Sequence, residues 1–591
     1  MSDNVVNTRS FDLGDLKSQL PRMCGTVDGK YFKVSGDDHV ESQEETSEKE
    51  LRRTLRNTSK YRLILDGCGG AGVACFGNGK TVKGDEVFKA MADQYLIAPY
   101  AAHGLFSTKT NNDLGKLLVH GANRGIKKGF EDELMSNSML LCSGSEATEA
   151  AIKLVWQYWT DKEKTSKEKA ENEKSGKTTH KTRAKKRKII SKQLSYHGNT
   201  TGALSISDFA ERQKRFHGLL YPSEDRYILR DGEYQLDDEQ IRVYKAKPYY
   251  PYRYKGKRSE EEYAKNEVAE LETLIIALDP ETVSAFFLEP VTGAALGCQP
   301  LHREYLRGVK RLCRKYDILL VYDEVMCGLG RTGYLHSWHY YEGTLLEGKG
   351  VAKLRPRPEY VFDVEKSRNL DQIEVENFAP DIQMVGKCLG AGFVAAAGVM
   401  ANERVSDGLK DFFSHGQTYQ AHALTSAAAL NVQQKVTDMI LNPSPGSGND
   451  IQKRGKQLED LLKSRFKEHN YVGDIRGRGL FWGIEIVKNK NTTEPFHTIW
   501  RISHKIAEFG QQTDFTSPVR NSVSSGVQFY PGRWDLDPSS APGDVTSGDH
   551  IMIMPSFTST EYDIIELVDK LEEVLKRFEW KKYLGNPPLS M

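Results

Sequence analysis

From about residue 61 to 430, short apolar runs alternate with longer segments whose apolar positions recur at helical spacing. The runs include MLLCS (139–143), AFFLEP (285–290), ILLVYDE (318–324) and AAAGVM (395–400). They are too short for helices and lack polar alternation, so they predict strands buried on both faces, each followed by a helix. That order predicts a mainly parallel α/β sheet covered on both sides. Beyond about residue 450 the order becomes helix, strands and helix, closing on EYDIIELVDKLEEVLKRF (561–578). Ile564, Ile565, Val568, Leu571 and Val574 form a helical stripe there, which predicts a second, smaller α+β domain. Residues 1–60 are polar, include the charge run ESQEETSEKELRR (41–53), and read as a solvated arm.

Three polar inserts interrupt the large region. Residues 161–188 carry twelve basic against five acidic side chains and read as a flexible loop; a nuclear-import or polyanion patch at KTRAKKRK (181–188) is the alternative. Residues 223–265 include KPYYPYRYKGKR, a mixture of tyrosine and base that single-stranded nucleic acid can exploit. One short segment of that kind does not make a nucleic-acid protein. The third insert, residues 342–377, is polar and has no chemical signature.

Composition narrows the partners. At 591 residues the chain is long enough for two to four domains or one large enzyme subunit with insertions. Its 82 basic and 81 acidic residues leave a formal charge of +1, which gives no global pull toward nucleic acid or membrane. Eight scattered cysteines with no CxxC pair argue against a disulfide framework or zinc site and for a reducing compartment. The N-terminal MSDNVVNTRSFDLGDLKSQL lacks the features of a targeting signal, and no run reaches the ~18 apolar residues that span a bilayer. The expectation is a soluble, cytoplasmic protein, nuclear if the 181–188 run is an import signal.

Candidate chemistry collects at strand ends. ACFGNGKT (74–81) ends like a phosphate-cradling loop, but Ala74 stands where the first glycine is required. Lys387, in PDIQMVGKCLGAGF (380–393), fails the same test, with Asp381 at the glycine position and Cys388 in place of serine or threonine. A lysine among small and apolar residues then suits carbonyl capture or a helix end. Ser143-Gly144-Ser145 follows an apolar strand and opens a helix, which offers free N–H groups and hydroxyls to an anion, or an ordinary N-cap. ILLVYDE delivers Asp323 to the C-terminal end of a buried strand, where ligands bind in open α/β sheets and where a carboxylate needs a cationic partner. Glu289 ends a second such strand, and either acid could instead cap a helix. Tyr196 and His197, in YHG, add a flat ring for stacking. Phosphate site, stacking ring, buried carboxylate and desolvated lysine are the parts that one cofactor, pyridoxal 5′-phosphate, requires together.

At these residues the chain resembles the class III pyridoxal-phosphate aminotransferases. The resemblance rests on SGSEATEAAIK, YHG, LEPVTGAALG, VYDEVMCGLGRTG, PDIQMVGKCLGAGF, HGQTYQAHALTSAAAL, VGDIRGRGLFWGIE and GDHIMIMP, in that order from about Leu63 to Val574. It implies fold type I, with a large cofactor-binding domain at 99–430 and a small domain built from residues 61–98 and 431–591. It implies Lys387 as the Schiff-base lysine, Asp323 as the ring-nitrogen partner, Gly144 and Ser145 as phosphate ligands, and Tyr196 and Val325 on the two ring faces. His197 and Glu289 fall in the same cofactor site. Thr418 would reach the phosphate in a neighbouring subunit, which implies a homodimer with shared sites. Many relatives carry GEAG where this chain has Gly293-Ala294-Ala295-Leu296, and some carry glutamine where it has Met326. Both departures resemble the branch acting on ω-amino acids or on amines with pyruvate. Arg476 is the candidate clamp for a substrate carboxylate, with a structural salt bridge as its alternative. The implied reaction is ping-pong transfer of an amino group to an oxo acid such as pyruvate or 2-oxoglutarate. An aminomutase, racemase or lyase would use the same constellation.

Overall fold

The computed structural model describes residues 23–27, 30–35, 61–78, 82–124, 126, 130–172, 185–223, 227–230, 233–236, 240–342, 377–441, 449–516, 523–524, 526–535 and 547–585. Most of the expected arm (1–60) and of the 342–377 insert lies outside the described residues. Three N-terminal strands, β1 (Met23–Val27), β2 (Tyr31–Ser35) and β3 (Tyr61–Asp66), pair antiparallel. The last of them also pairs in parallel with the short strand Val527–Gln528, so the two ends of the chain meet in one sheet. Helix α1 (Val82–Ile97) follows.

The central sheet has seven strands: β4 (Met135–Leu141), β5 (Lys188–Lys192), β6 (Arg242–Ala246), β7 (Val283–Leu288), β8 (Leu319–Glu324), β9 (Ile382–Val385) and β10 (Ala397–Asn402). Their order is β4-β10-β9-β8-β7-β5-β6, and β10 alone runs against the rest. The apolar runs owe their lack of alternation to burial on both faces. Phe287, Leu319 and Val321 point into a core with Ala147, Ala150, Ala151, Leu154 and Val155 of α2 (Gly144–Asn172). Phe286, Leu320 and Tyr322 point the other way, onto Tyr305, Leu306, Val309 and Leu312 of α3 (Arg303–Lys315). Side-chain alternation along each strand thus feeds two cores.

A second sheet, β11 (Val472–Arg478), β12 (Phe481–Ile486), β13 (Tyr530–Asp535) and β14 (Ser547–Ile553), is antiparallel throughout, in the order β11-β12-β14-β13. Helices α4 (Asp450–Phe466) and α5 (Glu561–Arg577) pack together beside it. The predicted stripe of α5 is buried at Ile564, Val568, Leu571 and Val574, while Ile565 lies half-buried at its margin. A capping box between Thr560 and Asp563 sets where α5 starts.

Two inserts differ from their expected form. The front of 161–188 continues α2 rather than forming a loop. At its far end Lys186 and Arg187 are buried. Lys186 Nζ donates to the carbonyls of Pro280, Val283 and Tyr316 at 3.0–3.1 Å, and Arg187 lies 4.2 Å from the Trp156 ring. Those two charges therefore belong to the fold and not to a surface patch. In 223–265 the expected insert contains β6, a strand of the main sheet, and Tyr249, Tyr250 and Tyr263 are fully buried. Tyr249 stacks obliquely on Tyr305 at 4.8 Å and Tyr263 at 5.2 Å. The tyrosines looked like a binding surface because a phenol is amphipathic; its ring was needed for the core.

Candidate active site

Parallel register brings the expected residues to one edge of the main sheet. Tyr322 pairs with Leu288, and Asp323 with Met384, so Glu289, Asp323 and Lys387 leave adjacent strands on the same side. Tyr196 and His197 follow β5, and Gly144 follows β4, at that same edge. This is the C-terminal edge, the binding edge of open α/β sheets.

Asp323 is buried and held from two directions. Its Oδ2 lies 2.8 Å from His197 Nδ1, and its Oδ1 accepts from Val325 N at 3.0 Å. His197 is fixed in turn: its backbone N donates to Ser207 Oγ at 2.8 Å, and its carbonyl accepts from Thr148 Oγ1 at 2.6 Å. Its Nε2 is buried with no hydrogen-bond partner among the described residues. His197 therefore orients Asp323 from behind. Glu289 accepts from Gly293 N at 2.6 Å and Tyr196 N at 3.1 Å. Burial, opposed by His197 and aided by Asp323, raises its carboxyl to about 7.

Lys387 occupies a tight turn just after β9, at φ +42°. A non-glycine residue in the left-handed region carries strain, and such strain gathers at functional sites. Burial lowers its amine pKa; Cys388, Asp323 and Glu289 act to raise it, and Arg331 adds to the lowering. Val325 stands beside two glycines. A Cβ added at Gly144 would lie 2.8 Å from Val325 Cγ1, and one at Gly386 3.1 Å from it. Ser143 is the N-cap, receiving Glu146 N at 3.3 Å while Glu146 Oε2 takes Cys142 N and Ser143 N at 2.8 and 3.2 Å. The N-cap reading of Ser143 holds, and Ser145 Oγ is turned toward the next loop, where it accepts from Asn199 N at 3.0 Å.

These residues fit pyridoxal phosphate on their own chemistry. The glycines at 144 and 386 leave a cradle beside Val325 that a side chain would fill. The buried Asp323 carboxylate suits a protonated ring nitrogen, having lone pairs beyond those its two donors use. The Lys387 amine suits an aldehyde, and the Tyr196 ring a flat heterocycle.

A family model for class III aminotransferases matches residues 62–344 and 372–514. The chain belongs to the class III aminotransferases. An aminotransferase of Gibberella zeae is 31% identical over 524 residues, covering 88% of this chain and 81% of that protein. A gamma aminobutyrate transaminase of Solanum lycopersicum is 27% identical over 484 residues, covering 80% and 79%. A thermostable omega transaminase mutant from Pseudomonas jessenii superposes with a TM-score of 0.63 at 21% identity, covering 92% of this chain and 98% of that one. This class III aminotransferase thus has the type I fold and works with pyridoxal phosphate on an amino donor and an oxo-acid acceptor.

Arg476 does not take the expected clamp position. It is buried, and its Nη2 donates to Glu485 Oε2 and to Leu296 O, both at 2.7 Å. Its Nε donates to Gly297 O at 2.9 Å and its Nη1 to Asp474 Oδ2 at 3.2 Å. The salt-bridge alternative describes it. Glu485 also receives Arg253 Nη2 at 2.8 Å. Burial alone would raise the Glu485 carboxyl, yet Arg476 and Arg253 outweigh it and bring it from 4.5 to about 2. Its folded pKa is depressed, so its stabilisation is full above pH 4.5 and is lost as the pH falls toward 2. Glu485→Gln is expected to destabilise the fold by about 3 kcal/mol, because two buried guanidinium groups lose their counter-charge. Urea midpoints of the two proteins at pH 7 measure it.

Arg331 carries a role that the motif reading passed over. It is fully buried and donates to Pro555 O at 2.7 Å, Gly72 O at 3.2 Å and Leu480 O at 3.3 Å, with Cys388 Sγ 3.7 Å away. It ties the first and last segments of the chain to the Lys387 turn. An arginine inside the glycine-rich GLGRTG, just after Asp323, was the available signal. Thr418 is exposed, with its carbonyl accepting from Tyr100 OH at 3.0 Å.

Proposed function

We propose that this aminotransferase takes its amino group from an amine or ω-amino acid and passes it to pyruvate or 2-oxoglutarate. The observation that carries the reading is the convergence of Lys387, Asp323, Tyr196 and Val325 at one sheet edge, with the Lys387 amine depressed by burial. Bound there, pyridoxal phosphate supplies the electron sink for amino exchange. Lys387 is the Schiff-base lysine, and when free it removes the proton from the donor carbon and later returns it, as general base and then acid. Asp323 holds positive charge at the ring nitrogen. Gly144 and Ser145 would hold the phosphate, and Tyr196 and Val325 would bound the ring. The amine and ω-amino acid assignment is supported by Ala294, which stands where many relatives carry glutamate and packs against a buried apolar cluster that includes Met326. It is also supported by relatives described as a gamma aminobutyrate transaminase and a vanillin aminotransferase. The test is a donor panel of primary amines, ω-amino acids and α-amino acids, each with pyruvate and 2-oxoglutarate. Turnover confined to α-amino acids would overturn the proposed donor class.

We further propose that the working form is a cytoplasmic homodimer. Leu96 and Phe412 are 83% and 81% exposed, and Ile97, Leu105 and Phe106 are exposed around them in sequence. The Tyr100–Thr418 hydrogen bond joins these segments into one surface. Exposed apolar side chains of this number mark a binding face, and a second copy as its occupant would bring Thr418 to the partner's phosphate. The double substitution Leu96→Asp, Ile97→Asp is expected to shift sedimentation from dimer to monomer and to abolish turnover.

A further inference from the structure

Arg476 is held in a salt bridge, and a second arginine near the site, Arg212, has no such partner among the described residues. It lies on the short helix Ala210–Gln213, which follows the Tyr196–His197 loop. Its guanidinium carbon sits 5.3 Å from the centre of the Tyr196 ring and 5.6 Å from that of Phe209. Burial raises the phenols of both Tyr196 and Tyr530, and the Arg212 charge opposes that rise at each, so both phenols lie within its reach. Tyr530 packs, as Ala294 does, against the buried apolar cluster that includes Met326. Arg212 therefore lies against the Tyr196 ring, with Tyr530 within reach of its charge.

Its donors are free. Arg212 is exposed, and no carboxylate or carbonyl among the described residues receives its guanidinium. Asp535 accepts from Arg533 Nη2 at 2.6 Å, and Asp208 accepts from Leu194 N at 2.9 Å. Arg476 is held by Glu485, Asp474, Leu296 and Gly297, and the two Nη groups of the buried Arg331 are held by backbone carbonyls and Cys388 Sγ. An arginine lying over aromatic rings keeps its N–H fork available for bidentate pairing with a carboxylate.

We infer that Arg212 is a specificity-determining residue that binds the carboxylate of substrates in which that group is remote from the reacting carbon. This rests on the amino-transfer reading above and narrows its substrate class to ω-amino acids and their dicarboxylic oxo partners. Simple amines react at the same Lys387 without this contact.

Matched donors test it: 5-aminopentanoate, which carries the remote carboxylate, and pentylamine, which lacks it. In Arg212→Met, kcat/KM for 5-aminopentanoate is expected to fall by about 10- to 100-fold, chiefly through KM, since a charge-assisted contact is lost. The value for pentylamine stays within about 3-fold on the same reasoning. Arg212→Lys recovers part of the loss, because it restores charge without the planar fork. Calorimetric titration with glutarate, which has two carboxylates and no amine, reads the contact without turnover. Wild-type protein is expected to bind it at least about 10-fold more tightly than Arg212→Met. Equal losses on both donors, or equal glutarate affinity in the two proteins, would overturn the assignment. Absence of turnover with every donor would remove the amino-transfer reading, and the glutarate comparison would still decide the role of Arg212.

Discussion

Replacing Lys387 with alanine is expected to lower turnover by on the order of 10⁴-fold while leaving the fold in place. On the proposed reading two roles are lost together: the amine that would hold the cofactor and the group that would carry the proton. Burial makes the amine suited to both, because a lowered pKa leaves more of it neutral near pH 7 than for a lysine in water. The residue also sits at φ +42°, so no replacement other than glycine relieves the turn, and alanine inherits the same backbone cost. Steady-state rates give the first readout. Borohydride reduction of loaded protein followed by peptide mapping gives the second, with the cofactor expected on the Lys387 peptide of the wild type and absent from the variant. Residual turnover within 10-fold of wild type, on the scale set by general acid–base catalysis, would remove Lys387 from the chemistry.

Much of this site was legible because strand ends in a parallel sheet are where sequence, position and function coincide. Asp323 and Glu289 each close a run of apolar residues, and their strands are adjacent in the sheet, so two one-dimensional features meet at one edge. The sequence left Arg476 open between clamp and salt bridge for a physical reason. Its neighbours in sequence, RGRGL, say nothing of Glu485, which antiparallel pairing of β11 with β12 sets opposite Asp474 and so diagonal to Arg476. A buried ion pair across a hairpin cannot be distinguished from a free arginine by composition alone. The reverse holds at Arg212, an ordinary exposed base on a four-residue helix whose interest comes wholly from the ring it overlies. The tyrosines of 249–254 misled in a third way, since burial of a phenol depends on the partners folded around it.

Asp323→Asn is expected to cost about 10³-fold in kcat, on the order of 4 kcal/mol, with little change in stability. The substitution keeps the shape of the side chain, and an amide can still meet His197 Nδ1 and accept from Val325 N, the two contacts that fix the carboxylate at 2.8 and 3.0 Å. On the proposed reading, what it removes is the negative charge that would keep the ring nitrogen of the cofactor protonated. Because a buried charge with one histidine partner contributes little net stability, the urea midpoint should move by less than about 1 kcal/mol. His197→Phe should reproduce only part of the rate loss, about 10-fold, since it leaves the charge and removes the group that orients it. That ordering separates the two roles. If both variants lose rate equally, orientation rather than charge is what Asp323 supplies, and the buried Nε2 of His197 becomes the place to look for the missing partner.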